Sequence, residues 1–210
     1  EVTEISSSKK VIIARNLISG AETEISYDKL ILSPGASPVI PPIPGIERAL
    51  TLRTVEDVLR IYDAVETKPK NAVVIGGGFI GVEMAENLVH KGIKTSLIEA
   101  LPQVLGPLDP EMAELVHIEM RKHGVDLHLA NSVKEINDTH VLLADGTKVE
   151  AEVVIAAIGV KPDTHLAKIA GVKIGEKGGI AVNVFNQTSD LDIYAIGDAA
   201  EKSDELSGER

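Results

Sequence analysis

Ala72-Val73-Val74-Ile75 is an unbroken apolar run without polar alternation, the pattern of a strand covered on both faces. Gly76 to Gly81 follows, then a helix-period stretch to about Lys91, then Thr95-Ser96-Leu97-Ile98-Glu99. A buried strand, a helix and a second apolar strand predict a parallel βαβ unit. Asp109-Pro110 sets an N-cap residue before Pro at N1 and opens another helix that ends before Gly124, after which Val125 to Leu129 reads as a third strand. Shorter alternating runs follow, Val133 to Ile136 and Val141 to Ala144. The hairpin signal Asp145-Gly146 then leads into a stretch from Lys148 to Ile158.

The flanking segments have a different pattern. Val11 to Arg15 and Thr23 to Tyr27 are strand-like runs either side of the turn pair Ser19-Gly20, and Lys29 to Ser33 is a third short run ended by Pro34-Gly35. Four prolines between Ser37 and Gly45 forbid helix and predict an extended connector. Thr54, with Asp57 three residues later, caps a helix running to about Glu66, and Lys68-Pro69-Lys70-Asn71 breaks it, so a new domain is expected from residue 70. Near the C-terminus, Ile193 to Ile196 is one further strand-like run before Gly197-Asp198 and a charged tail.

Composition narrows the function classes. The 210 residues carry 21 Lys and Arg against 32 Asp and Glu, a formal charge of −11, with 44 % hydrophobic residues. That supports a packed core. It lacks the basic stripe, and with two Phe, three Tyr and no Trp also the stacking surfaces, that a nucleic-acid partner needs. The apolar runs fall short of the roughly 20 residues that cross a bilayer. No basic, apolar leader precedes them, so the expectation is a soluble cytoplasmic protein without membrane contact. Cysteine is absent, which excludes disulfides, Cys-ligated zinc and a thiol nucleophile within these residues. The chain starts at Glu1 without Met, suggesting a fragment.

Gly76-Gly77-Gly78-Phe79-Ile80-Gly81 fits G-x-G-x-x-G, and it sits between a buried strand and a helix. Glu99 ends the next strand 18 residues after Gly81, close to the offset of about 20 expected for an acid on the adenosine ribose. In this pattern Gly76 permits the tight turn, Gly78 lets a pyrophosphate approach the backbone, and Gly81 lets the helix pack against the strand. The helix start then offers N–H groups and a positive dipole end to phosphates. Glu99 would repel a 2′-phosphate, and no Lys or Arg follows it before Arg121, which favours NADH over NADPH. Glu114 and His117, at i, i+3, could share a metal ion. Met112, Leu115, Val116 and Met120 read as the apolar face of that helix, however, placing both on or beside the solvated side, and no metal site is expected.

Four segments in order carry a resemblance. Tyr27-Asp28-Lys29-Leu30-Ile31-Leu32-Ser33-Pro34-Gly35-Ala36-Ser37-Pro38, the glycine loop continuing into Gly81-Val82-Glu83, Ala157-Ile158-Gly159-Val160-Lys161-Pro162, and Asp192-Ile193-Tyr194-Ala195-Ile196-Gly197-Asp198 resemble the FAD-dependent pyridine nucleotide-disulfide oxidoreductases. Leu-Ser-Pro-Gly-Ala and Glu99 to Val104 look most like the branch of coenzyme A-disulfide reductases, NADH-dependent persulfide reductases and NADH oxidases or peroxidases.

The resemblance implies an α/β fold: a Rossmann-like NAD(H)-binding domain over residues 70–187, with a parallel sheet and a small antiparallel layer, flanked by partial FAD-domain segments at 1–69 and 188–210. It also implies hydride transfer from NADH to FAD and on to a disulfide, persulfide or oxygen acceptor, in an intact homodimer. The FAD glycine loop and the redox cysteine are not in this sequence, so the chain alone is expected to be inert, largely flavin-free and monomeric. Carried over by motif, Gly76, Gly78, Ile80, Gly81, Glu99 and Gly159 would bind NADH. Phe79 would cover the flavin or, alternatively, anchor the helix to the core. Glu83 would contact the nicotinamide carboxamide or simply favour the helix dipole. Asp198 would accept from the FAD ribitol. A ferredoxin-reductase-like electron-transfer protein and a non-catalytic NAD-binding redox sensor remain the alternatives.

Overall fold

Side chains along a strand alternate between its faces, so an apolar run without alternation requires cover on both. In the computed structural model, which describes residues 1–202, Asn71–Ile75 has it: the strand lies inside a four-stranded parallel sheet ordered Val153–Ala156, Asn71–Ile75, Lys94–Ile98, Asp126–His128. Val74 sits in register with Leu97 on one side and Ile155 on the other. This face packs against Ile61 of helix Val55–Glu66, Ala85 and Leu88 of helix Phe79–His90, and Met120 of helix Pro110–Lys122. On the opposite face Val73, Ile75, Ile98 and Val154 meet Ile136, Val141, Leu143 and Val149 from a three-stranded antiparallel sheet. The result is a helix layer, a parallel sheet and an antiparallel sheet, an α/β architecture.

The stretch from Lys148 to Ile158 divides into two strands serving different sheets. Lys148–Glu150 pairs with His140–Leu143, whereas Val153–Ala156 joins the parallel sheet. The switch is made in two residues: Ala151 N–H donates to Thr139 O at 3.0 Å, and Glu152 N–H donates to Asn71 O at 3.0 Å.

Helix Pro110–Lys122 is turned from its expected orientation. Met112 and Leu115, read from sequence as its apolar face, are 53 % and 59 % exposed, while Ala113, His117 and Met120 are buried. A histidine can take this inward stripe because both ring nitrogens have partners there, which removes the cost of burying them.

The chain divides into two compact units, residues 38–159 and residues 1–37 with 160 onward, rather than at 69/70 and 187/188. The proline connector belongs to the first of these. Gly45 packs so tightly that a Cβ there would lie 1.9 Å from Ile136 O, and Ile136 N–H donates to Pro44 O at 2.9 Å. Leu50 bridges to Ile155, and Ile61 completes the helix-side core. The helix carrying Ile61 has the anticipated capping box between Thr54 and Asp57.

The other unit combines the two ends of the chain. Val2–Ser6, Val11–Arg15 and Glu22–Ser26 form an antiparallel meander; Leu30–Leu32 pairs in parallel with Ile193–Ala195, and Ile180–Val182 with Ala200–Lys202. Ala167, Val172 and Ile180 share a core with Ile5, Leu32 and Ile193, so residues 160–187 pack here and not with the parallel sheet. No helix among the described residues is long and apolar enough to cross a membrane.

In this unit Asp192 pairs with Lys10 and accepts from Lys29 Nζ at 2.5 Å. The hydrogen bonds from the Lys10 and then the Lys29 ammonium hold its carboxyl down from 3.8 to about 2. A depressed folded-state pKa gives stability that is present above the unfolded value and is lost as pH falls through the folded one. Melting temperatures measured between about pH 5 and pH 2 should therefore decline less steeply for Asp192→Asn than for the parent chain. Equal slopes would show that the two lysines do not stabilise the ionised carboxylate.

Candidate functional site

Parallel strands deliver their C-terminal ends to one edge, and ligands of open α/β sheets bind there, where the strand order reverses. The order here reverses between Asn71–Ile75, the first strand of the sheet, and Val153–Ala156, the last. At that edge lies a cavity of about 290 Å³ lined by residues that include Gly76, Gly78, Glu99, Asn131, Ile158 and Gly159.

The glycine loop is shaped by close backbone contacts. Gly76 has φ +106°, and a Cβ on it would fall 2.3 Å from Ala157 O; its N–H donates to Ile98 O at 2.8 Å. A Cβ on Gly81 would fall 1.9 Å from Gly76 O, so the helix can start this close to the strand only with glycine there. Gly78 is different. It is exposed, has φ −73°, and a Cβ would meet nothing within 4 Å. It is also the N-cap of Phe79–His90 and provides no side-chain acceptor for the first helical turn, whose N–H groups have no earlier turn to bond to. Open space over a helix start that lacks a side-chain cap suits the pyrophosphate of a dinucleotide.

Glu99 leaves the second strand half-buried, and its carboxylate bridges two backbone donors. Oε2 accepts from Gly77 N–H at 2.5 Å and Oε1 from Leu101 N–H at 2.8 Å. Each carboxylate oxygen has two lone-pair directions, so both retain capacity for a ribose hydroxyl. Glu99 is the only ionisable residue among those lining the cavity.

The remaining expected residues fall as follows. Phe79 is 66 % exposed and does not anchor its helix to the core; Ile80 is 39 % exposed, and Glu83, the fifth residue of the helix, is exposed just beyond its first turn. Gly159 takes φ +117° at the cavity wall with open space around it. Asp198 is exposed in the short 3-10 helix Gly197–Ala199, which belongs to the other unit. The sequence reading did not select Asn131, Ser132 or Ile158 as lining residues. They follow the third and fourth parallel strands, so the rule that ligands gather at strand C-termini is the signal that would have found them.

The pyridine nucleotide-disulphide oxidoreductase family model matches residues 1–208. An NADH oxidase of Methanocaldococcus jannaschii is 40 % identical over 198 residues, covering 91 % of this chain and 44 % of that protein. The crystal structure of reduced CoADR-RHD from Bacillus anthracis superposes with a TM-score of 0.95 at 45 % identity, covering 99 % of this chain and 38 % of that one. A NAD-dependent persulfide reductase from A. fulgidus superposes with a TM-score of 0.94 at 38 % identity, covering all of this chain and 40 % of that one. The chain thus spans less than half the length of these relatives, and it belongs to the pyridine nucleotide-disulphide oxidoreductase family.

Proposed function

We propose that residues 38–159 form the NADH-holding part of a flavin-dependent oxidoreductase, and that residues 1–37 and 160 onward contribute part of its FAD-binding domain. The observation that carries this reading is the open cradle at Gly78, beside a cavity whose one ionisable lining residue is Glu99. The first turn of Phe79–His90 takes the pyrophosphate, Glu99 takes the adenosine ribose, and Gly159 leaves space at the opposite wall. Ile80 lies within the same first turn. Phe79 and Glu83 then flank the nicotinamide end, Phe79 as the exposed ring against the flavin and Glu83 as acceptor for the carboxamide. Asp198 accepts from the flavin ribitol in the intact protein. Nicotinamide and flavin, when bound, would supply hydride and electron transfer towards a disulfide, persulfide or oxygen acceptor; the chain's own residues supply orientation and electrostatics.

NADH should bind the purified chain more tightly than NADPH, because Glu99 meets a 2′-phosphate without a neighbouring cation. Calorimetry with both cofactors gives the answer directly, and equal affinities would sink the assignment. Glu99→Ala should narrow the gap by about 1–3 kcal/mol, the scale of a hydrogen bond to a charged group.

The glycines separate binding from folding. A Cβ on Gly78 meets no atom within 4 Å and the position needs no unusual backbone angle, so the melting temperature of Gly78→Val should stay near that of the parent while NADH binding is lost. Gly81→Ala forces a methyl group into a backbone carbonyl and should lower the melting temperature itself. If Gly78→Val still binds NADH, the loop is not the phosphate site.

The purified chain should also lack the visible flavin absorption band and should not consume NADH with a disulfide acceptor. It holds a single dinucleotide glycine loop and no thiolate to attack the disulfide. A yellow preparation with stoichiometric FAD would require a second dinucleotide site within these residues.

A further inference from the structure

The segment from Leu101 to Leu105 has no regular secondary structure, yet it is tied to the candidate site at three points. Leu101 N–H donates to Glu99 Oε1 at 2.8 Å, Leu105 N–H donates to Gly77 O at 2.7 Å, and Val104 Cγ1 would lie 2.9 Å from a Cβ on Gly77. Val104 is fully buried, so its N–H must find its acceptor inside the protein. That acceptor is a side chain: Nε2 of His117, at 3.1 Å, projecting from helix Pro110–Lys122.

His117 is 4 % exposed, and its two contacts select its tautomer. With Nε2 accepting from Val104, the proton is on Nδ1, which donates to Glu114 Oε2 at 2.9 Å. Glu114 is itself half-exposed, with the Arg121 guanidinium 3.7 Å from its other oxygen. A line of contacts therefore runs from the solvated helix face through Glu114, His117 and Val104 to Gly77, whose N–H is held by Glu99 Oε2.

We propose that His117 is a positioning residue for the adenosine end of the dinucleotide, fixing the 101–105 segment through Val104 N–H and thereby the Gly77 backbone and the Glu99 carboxylate. The inference rests on the NADH reading above, and its test separates the two. Removing the acceptor at Nε2 leaves Val104 N–H buried without a partner, and the segment relieves this by moving away from the glycine loop.

Three variants distinguish an acceptor from mere bulk. His117→Leu fills the space without an acceptor. His117→Asn places an amide near the Nδ1 position, short of Val104, whereas His117→Gln can bring an amide oxygen to the Nε2 position. NADH affinity by calorimetry and amide hydrogen exchange at Gly77, Leu101 and Leu105 are measured for each. His117→Leu and His117→Asn should weaken NADH about five- to tenfold, the scale of one hydrogen bond, and accelerate exchange at those three amides. His117→Gln should stay within about twofold of the parent on both measures. Should His117→Leu fail to fold, the polar Asn and Gln pair carries the comparison. Parent-like affinity in His117→Asn would overturn the positioning role, as would equal losses in Asn and Gln variants that melt like the parent. If the parent chain binds no NADH, the functional reading itself fails, and the exchange rates still report whether His117 holds the segment.

Discussion

The approach of the Gly81 α-carbon to the carbonyl of Gly76 is the contact on which the rest of the site depends. It lets helix Phe79–His90 begin almost on top of the strand that precedes it. Ala85 and Leu88 then come down onto Val74, Leu97 and Ile155, and the helix start is left at the sheet edge with Gly78 outermost. A side chain at position 81 would push the helix outward, opening the core on one side and moving the first-turn N–H groups on the other. Packing and ligand geometry are thus set by the same few ångströms of backbone, and this accounts for the division of labour among the glycines: 76 and 81 are closed in by carbonyls, 78 by nothing.

Much of this was legible in the sequence because it is local. The continuous apolar run at 72–75, the glycine spacing, Thr54 with Asp57, and Asp109 before Pro110 each encode their element within a few residues. Less was legible where the outcome depends on partners far along the chain. Residues 148–158 look like one strand, yet they are drawn into two sheets by Thr139 and Asn71. Strand Ile180–Val182 gains its meaning from Ala200–Lys202, and the compact units close through Leu50, Ile61 and Ile180 rather than at composition breaks.

The helix at 110–122 illustrates a different limit. Hydrophobicity alone ranks Met112 and Leu115 above His117 as core residues, and the structure reverses that order. The ranking fails because burial of a histidine is governed by its hydrogen bonds, and Val104 N–H and Glu114 are not recognisable as its partners from spacing. Likewise the Glu99 carboxylate looked in sequence like a group reserved for ligand, whereas it also braces Gly77 and Leu101 in the protein itself. Its orientation at the cavity is set in advance by those two bonds, and preorganisation of this kind lowers the entropy lost when a ligand is ordered.

The unit made from both chain ends has a consequence for how the polypeptide reaches its native state. Its halves are separated by the whole of residues 38–159, and joining them directly would require closing a long loop, at an entropic cost that rises with the logarithm of its length. The inserted unit removes that separation, because Val39 N–H donates to Gly159 O at 2.9 Å, which places its entry and exit side by side. Once residues 38–159 have folded, strand Leu30–Leu32 and the later segments reach one another as though joined by a short turn. The core of the outer unit needs Ile180 and Ile193 beside Ile5 and Leu32, so a folded inner unit spares it most of that loop closure.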